Sequence, residues 1–424
     1  MTAPPLLAWA ASDPGRVRQN NEDGFLADVG LGLFIVGDGM GGHAAGETAS
    51  SEALKEIHRY LVEHRLELEE LDLAGREPPS ALRQRTLHQL ELAVQSACSL
   101  VFGLASANPK LRGMGTTSSL ILVRGQRAYL AHVGDSRIYL QRGTQLHLLT
   151  EDHTVLAELL RRNRLDPEAV KKMPYKHSLS RAVGTQSTVE VDTVDLEVVP
   201  GDQFVLCTDG LSEYLEDPGV LSRLLSQGPL AGAPARLVHH ANEQGGKDNV
   251  TALVVEIQAP TADRDTGTEA HQHQLRMDTL GSISLLKHLT YKELIQIFNI
   301  TEPRTYPPGA TILQEGEPGD ALYILMKGQA RVRKGREQVA MLGRGDHFGE
   351  MALVDQSPRS ASVEATTPVQ ARVIRRDPFY ELLRSDPLLS SKILWNFLQV
   401  LSSRLRDSSA VVEQLRQQLA QTKG

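Results

Sequence analysis

Four aspartates stand where strands end or begin in the first 258 residues. Asp38 closes the apolar run GLGLFIVGDG (30–39), and Asp209 closes QFVLCTDG (203–210). Asp248 immediately precedes NVTALVVEI (249–257), and Asp23 lies in RQNNEDGF (18–25). A fifth, Asp135, lies in VGDSR (133–137). Taken singly, an Asp-Gly pair is common turn chemistry, and aspartate is usually a solvated residue. Five acids displayed at strand ends of one unit are a different matter. If they converge, they repel one another unless cations neutralise them. Hard oxygen donors of this kind suit magnesium or manganese.

A second group lies in HFGEMALVDQSPRSASV (347–363). Gly349 permits close approach of the backbone to a ligand, and a short helix beginning near Glu350 offers amide N–H groups to a phosphate. Arg359 can neutralise that phosphate, and Glu350 can accept hydrogen bonds from a ribose 2′-hydroxyl. A structural Glu350–Arg359 ion pair is the alternative reading.

The elements that must position these groups follow from periodicity. The runs 30–39, 117–136, 203–210 and 249–257 are apolar or β-branched with glycine turns, and so predict strands. Residues 46–65 and 82–105 carry helical spacing, for example Leu87, Leu90, Val94, Ala97 and Val101. Residues 154–173 read as a polar, basic helix pair, with Asp166-Pro167 starting its second member. The basic side chains there (Arg161, Arg162, Arg164, Lys171, Lys172 and Lys176) are either a solvated face or a recognition surface for acidic substrate. Residues 259–275, APTADRDTGTEAHQHQL, lack periodicity and predict a linker with solvated histidines. Beyond it, Thr290 and Glu293 form a capping box. From Tyr306 to Ile374, short strands between glycine turns predict a small barrel or jelly roll. Asp377-Pro378 and Asp386-Pro387 each pair an N-cap with proline at the first helical position. The second opens a long helix over 388–421, with Leu398, Leu401, Leu405, Val412, Leu415 and Leu419 on an a/d stripe interrupted at Ser408.

Residues 6–258 resemble the bacterial metal-dependent protein serine/threonine phosphatases, the type 2C or PPM family. The resemblance rests on GRVRQNNED (15–23), VGDGMGGHAAGE (36–47), GMGTT (113–117), AHVGDSR (131–137), LSRAVG (179–184), LCTDGL (206–211) and GGKDNVT (245–251), in that order. It implies that Asp38 bridges two metal ions, with the Gly39 carbonyl, Asp209 and Asp248 completing the shell. Glu22 and Asp23 would hold metal-bound waters, and Asp135 with Asp209 a third, weaker ion. Arg18 would grip the substrate phosphate. His43 would protonate the departing serine or threonine oxygen, although a histidine among Gly and Ala is also an ordinary polar loop residue. The implied reaction is attack of a metal-bridging hydroxide on phosphorus, so neither cysteine is needed as a nucleophile.

Residues 281–400 resemble the cyclic-nucleotide-binding domains of catabolite activators, gated channels and nucleotide-dependent kinases. The resemblance implies that Arg359 binds the cyclic phosphate and Glu350 the ribose. Gly349, Met351, Ala352, Ser360 and Ala361 would line the cassette, and the ligand would be cAMP or cGMP. In the catabolite activators the following helix dimerises and touches the base, which makes Trp395 and Phe397 candidates for a lid or a dimer seam.

The expected architecture is therefore a two-domain α+β chain. A β-sandwich of antiparallel sheets flanked by helices (6–258) precedes a linker (259–280). A small jelly-roll barrel with helices follows (281–400), then a C-terminal helix (401–424) that would support a homodimer. The 424 residues carry 45 Lys plus Arg against 52 Asp plus Glu, a net charge of −7, which argues against binding nucleic acid or an anionic membrane. Cys98 and Cys207 are too few for a disulfide framework. No apolar run approaches the roughly 18 residues of a membrane span. The opening MTAPPLLAWAASDP lacks a basic n-region, so the expected location is the cytoplasm. The expected function is phosphoprotein hydrolysis regulated by cyclic nucleotide. The alternatives are a constitutive phosphatase with a dimerising second domain, or a nucleotide sensor on an inert scaffold.

Overall fold

The computed structural model describes residues 4–41, 44–74, 78–161, 178–215, 217–259, 266–355 and 357–422. The chain divides into two compact units, Met1–His271 and Gln272–Gly424.

The first unit holds eleven strands among its described residues: β1 Leu6–Asp13, β2 Asp23–Asp28, β3 Leu33–Met40, β4 Gly115–Thr116, β5 Ser118–Arg124, β6 Arg127–Val133, β7 Arg137–Arg142, β8 Gln145–Leu148, β9 Asp192–Glu197, β10 Gln203–Cys207 and β11 Val250–Ile257. One antiparallel sheet runs β1-β11-β10-β7-β8 and the other β2-β3-β5-β6-β9, with β4 paired to β3. Its helices are α1 Ala44–Glu63, α2 Arg65–Leu73, α3 Ser80–Ala107, α4 Val155–Arg161, α5 Asp209–Ser212, α6 Pro218–Ser226 and α7 Ala233–Glu243.

Alternation along the strands explains the layering. Leu33 and Ile35 of β3, with Leu120 and Leu122 of β5, share a core with Ile57 of α1 and Val94 and Val101 of α3. The intervening Phe34, Val36 and Ile121 are also fully buried, so a second layer must cover the other face. That layer is the first sheet, whose β10 and β11 lie against β3. Val205, Cys207, Ala252 and Val254 of that sheet pack outward on α6 and α7. The sandwich with flanking helices is as the sequence predicts.

Helix α3 corrects one expectation. Among the described residues it is the one helix long and apolar enough to cross a membrane by length and composition. Its apolarity has a core explanation, because Leu90, Val94, Ala97 and Val101 are buried against α1 and the sheet.

Helix α8 Thr266–Ser282, which begins before the division at His271 and lies mostly in the second unit, overlaps the segment expected to be an aperiodic linker. His273, Met277 and Leu280, at helical spacing, are each at most 3% exposed, and the His273 ring sits 6.1 Å from that of Phe298. Burial of that face, not local propensity, makes the segment a helix, and His273 is not solvated. Then come α9 Tyr291–Asn299, β12 Thr301–Tyr306, β13 Thr311–Leu313, β14 Ala321–Lys327, β15 Ala330–Lys334, β16 Glu337–Leu342, β17 His347–Phe348, α10 Met351–Val354, β18 Ser362–Ala365, β19 Val369–Arg375, α11 Arg376–Ser385 and α12 Pro387–Thr422. Two antiparallel sheets, β12-β19-β14-β17 and β13-β18-β15-β16, enclose Leu325, Ala330, Phe348, Val363 and Ala371. Strand β12 begins earlier than predicted, and its edge position accommodates Pro303.

The capping box forms as predicted: Thr290 Oγ1 accepts from Glu293 N and the Glu293 carboxylate from Thr290 N. Asp386 caps α12 by accepting from Leu388 N and Leu389 N. Asp377 does not cap α11. That helix begins at Arg376, after Arg375 in extended conformation, so Asp377-Pro378 lies within the first turn, where proline's missing N–H costs little. Phe397 is also reassigned. It is 7% exposed and packs on Phe379, so it belongs to the unit's interior and not to a seam, whereas Trp395 is 62% exposed. Asp166-Pro167 lies outside the described residues.

Candidate active site and nucleotide cassette

The acids of the first unit are positioned by backbone contacts that explain their motifs. Asp38 sits opposite Asp23 in the β2–β3 ladder. Its N–H donates to Thr117 Oγ1 (2.9 Å), and its carbonyl accepts from Thr116 Oγ1 (2.9 Å) and Thr117 N (2.9 Å). The threonines of GMGTT thus fix the strand end that carries Asp38. Gly39 is required by space: a Cβ there would lie 2.1 Å from the Gly46 carbonyl oxygen and 2.5 Å from that of Glu22. Asp209 opens the one-turn helix α5. Thr208, its N-cap, donates from Oγ1 to Asp23 Oδ2 (2.8 Å), and Thr251 Oγ1 donates to the same oxygen (2.7 Å). Asn249 accepts from Glu22 N (2.8 Å) and donates to the carbonyls of Pro14 and Asn20, tying the Arg18–Glu22 loop to the Asp248 turn.

Arg18, Glu22, Asp38, Gly39, Asp135, Asp209 and Asp248 all line one cavity of about 780 Å³. Arg18 Nη2 donates to Asp248 Oδ2 at 2.6 Å. Asp23 is not among the lining residues; its carboxylate lies behind, held by the two threonines. His43 lies outside the described residues, as does the basic stretch 162–177. Ser178, Leu179, Ser180 and Ala182, which follow that stretch, do line the cavity, together with Thr185 and Gln186. Sequence reasoning missed Thr117, Thr208, Asn249 and Thr251 as positioning residues. The signal was available, since all four flank an assigned aspartate or lie in a quoted motif.

The electrostatics are those of crowded acids. Burial pushes the Asp38 carboxyl well above its ordinary range, and Asp23, Asp209 and Asp135 add repulsion. Burial raises Asp23 to about 7 against the opposing hydrogen bonds from Thr251 and Thr208. Asp135 is likewise raised to about 7 by burial, then by Asp209. Asp209 is raised by burial, with Asp248 contributing. Asp23 Oδ1 and Asp209 Oδ1 are buried without a hydrogen-bond partner. No three His, Cys, Asp or Glu side chains among the described residues are gathered as a ready-made metal shell. Orphaned carboxylate oxygens and mutually raised acids nevertheless fit a group that supplies positive charge.

These shifts set a pH dependence. An acid whose folded pKa is raised holds its proton more tightly when folded, so its contribution to stability is complete below the ordinary value near 4. It is lost as pH climbs through about 7, the value for Asp23 and Asp135. In chelator, the melting temperature should fall between about pH 5 and pH 8. Excess manganese should raise it, and by more at the higher pH; equal increments at both pH values would contradict the assignment.

In the second unit, Arg359 is 9% exposed and turned inward. Its Nη1 donates to the Gly349 carbonyl (3.1 Å) and Nη2 to that of Ala321 (3.0 Å). The guanidinium occupies space that only glycine leaves: a Cβ on Gly319 would lie 2.1 Å from Arg359 Nε, and one on Gly349, at φ +79°, 2.7 Å from Nη1. Burial lowers the Arg359 pKa. A buried cation held mainly by carbonyl dipoles suits an incoming anion. Glu350 is 4% exposed and precedes α10. Ala352 is buried, Ala361 half-buried, and Met351 and Ser360 exposed. Arg376 donates to the Ala352 and Asp355 carbonyls, closing the far end of α10.

Residues 16–251 match the protein phosphatase 2C model, and residues 303–386 match the cyclic nucleotide-binding domain. The serine/threonine protein phosphatase PstP of Mycobacterium tuberculosis is 38% identical over 254 residues, 59% of this chain and 45% of that protein, so the chain spans less than half of that relative. Protein phosphatase PhpP of Streptococcus pneumoniae is 31% identical over 255 residues, 59% of this chain and 98% of that one. Among solved structures, the M. tuberculosis phosphatase PstP/Ppp matches with TM-score 0.51 and 35% identity over 60% of this chain and 99% of that one. Staphylococcus aureus Stp1 matches with TM-score 0.51 and 27% identity over 61% and 97%. With its motifs, its sandwich and its acid-lined cavity in agreement, the chain belongs to the protein phosphatase 2C family and joins that domain to a cyclic nucleotide-binding domain.

Proposed function

We propose that the chain hydrolyses phosphoserine and phosphothreonine in proteins at the Asp38 cavity, and that cAMP or cGMP bound by the second unit regulates the reaction. The carrying observation is the convergence of Arg18, Asp38, Asp209 and Asp248, from remote segments, on one cavity. Asp38, Asp209, Asp248 and the Gly39 carbonyl would hold two divalent cations, magnesium or manganese. Glu22 and Asp23 would hold waters around them, and Asp135 with Asp209 a third cation. When bound, the cations supply charge to the phosphoryl oxygens and make water a stronger acid.

The chain's own residues do the rest. Arg18 is about half exposed at the cavity, so its guanidinium can exchange the Asp248 carboxylate for a substrate phosphate. Thr117 and Asn249 hold the strand end and loop that fix Asp38 and Glu22, so the acids need little reorganisation on binding. His43 is proposed to protonate the leaving oxygen. Regulation requires that the nucleotide bind the active and inactive states with different affinity. The buried guanidinium of Arg359 supports an anionic ligand.

The test is phosphopeptide hydrolysis by the full chain in manganese, with no nucleotide, cAMP or cGMP. Hydrolysis that changes with one nucleotide supports both parts. Hydrolysis indifferent to both leaves a constitutive phosphatase, and no hydrolysis removes the reading.

One observation favours an added role for the terminal helix. Leu394, Leu398, Leu405 and Val412 of α12, spaced as heptad positions, are 46–70% exposed. A homodimer through this stripe is expected. Light scattering should give a dimer mass for the parent and a monomer mass for a Leu398→Asp, Leu405→Asp variant; a monomeric parent would dispose of the seam.

A further inference from the structure

Beside the acid cavity, within the same unit, lies a second hollow of about 380 Å³. Phe102 and Ala105 of α3, Pro109 and Arg112 of the turn that follows, and Gly184 and Thr185 line it. Thr185 lines both hollows, so a wall one residue thick separates them.

That wall is held rigidly. Thr185 Oγ1 donates to the Ala182 carbonyl at 3.1 Å. Its methyl packs over Gly115, where a Cβ would come within 2.8 Å. Gly184 has φ +87°, and Val101 fills the place its Cβ would take. Helix α3 then stitches the segment down. Cys98 Sγ accepts from Gly184 N (3.3 Å) and donates to the Gln186 carbonyl (3.2 Å). Ser99 Oγ donates to the Ser187 carbonyl (3.2 Å), and Gln95 Oε1 accepts from Val189 N (3.2 Å). With the Val189 carbonyl, which accepts from Gln95 Nε2, five backbone groups of 184–189 are tied to one helix face.

The lining has a definite chemistry. Phe102 keeps 37% of its surface exposed, beside Ala105 and Pro109. Arg112 is exposed, and its guanidinium makes no hydrogen bond or ion pair among the described residues. The hollow thus offers an apolar contact next to an unpaired cation.

We propose that this hollow is the subsite for a substrate side chain flanking the phosphorylated residue, and that it selects an apolar side chain within an acidic segment. The inference rests on the phosphatase reading of the adjoining cavity. Successive side chains of an extended chain point to opposite sides, so a peptide laid along the Thr185 wall can drop its phosphate into one hollow and the neighbouring side chain into the other. Phe102 contributes contact area and Arg112 complements the acidic residue.

The experiment compares two phosphothreonine peptides, with p-nitrophenyl phosphate as a substrate that has no flanking residues. One peptide carries Phe beside the phosphothreonine and Glu beyond it; the other carries Gly and Lys. The full chain should favour the first by about tenfold in kcat/KM. Phe102→Ala should shrink that ratio, and Arg112→Glu should favour the Lys peptide, each peptide rate being divided by the same protein's p-nitrophenyl phosphate rate. Equal parental rates on both peptides, or a ratio unmoved in both variants, overturns the subsite while leaving the phosphatase intact. Failure of the parent to hydrolyse p-nitrophenyl phosphate overturns the phosphatase reading and the subsite with it. Arg112 is a surface residue, so its variant keeps the test valid if Phe102→Ala fails to fold.

Discussion

Replacing Asp38 with asparagine should lower kcat/KM for phosphopeptide hydrolysis by roughly 10³-fold, equivalent to about 4 kcal/mol of transition-state stabilisation. The substitution keeps the shape but removes half of the carboxylate's oxygen donors and all of its charge, in the group central to the acid cluster. Asp38 feels Asp23, Asp209 and Asp135, and all three repulsions vanish with its charge. The metal-free variant should therefore melt no lower than the parent and gain less from manganese. Thermal unfolding in chelator and in manganese, beside the kinetic assay, separates this outcome from simple misfolding. Undiminished hydrolysis would end the catalytic assignment of the cavity.

The second large effect is expected at Arg359. Arg359→Ala should weaken cyclic-nucleotide binding at least about 100-fold, or about 3 kcal/mol, because a charge-assisted fork to phosphate is lost in a buried site. The Gly349 and Ala321 carbonyls also lose their donors, and each carbonyl left without a partner costs about 1–3 kcal/mol. Arg359→Lys keeps the charge without the bidentate geometry and should fall between the two. Calorimetric titration with cAMP and cGMP reads the affinity, and the nucleotide-dependent ratio of phosphopeptide rates reads the coupling. Binding unchanged in the alanine variant would remove Arg359 from the ligand's contacts.

Much of the site is legible in the amino-acid sequence because its parts are local. Asp-Gly at a strand end and a capping box at Thr290 are short-range patterns whose geometry depends on neighbours within a few residues. Where local rules fail, packing decides. Residues 266–282 are polar in composition, yet they form a helix because His273, Met277 and Leu280 find a core to enter. Asp377 has cap chemistry, but the helix starts at Arg376, where the Arg375 side chain reaches Glu302 and Asp320 and Arg376 N donates to the Asp320 carbonyl. Phe397 belongs to the interior because Phe379 of the preceding helix meets it.

Residue type and spacing alone carry the strand and helix periodicities, the acid set, the cassette residues and the family resemblance. They do not carry the position of Asp23, which lies behind the cavity on Thr208 and Thr251. Nor do they carry the tie that Asn249 makes between the Arg18 loop and the Asp248 turn, or the inward turn of Arg359 into the room left by Gly319. Those three features belong to the folded chain. Each joins residues about 40 to more than 200 positions apart, and periodicity holds no information about which distant segments a closed sheet will bring together.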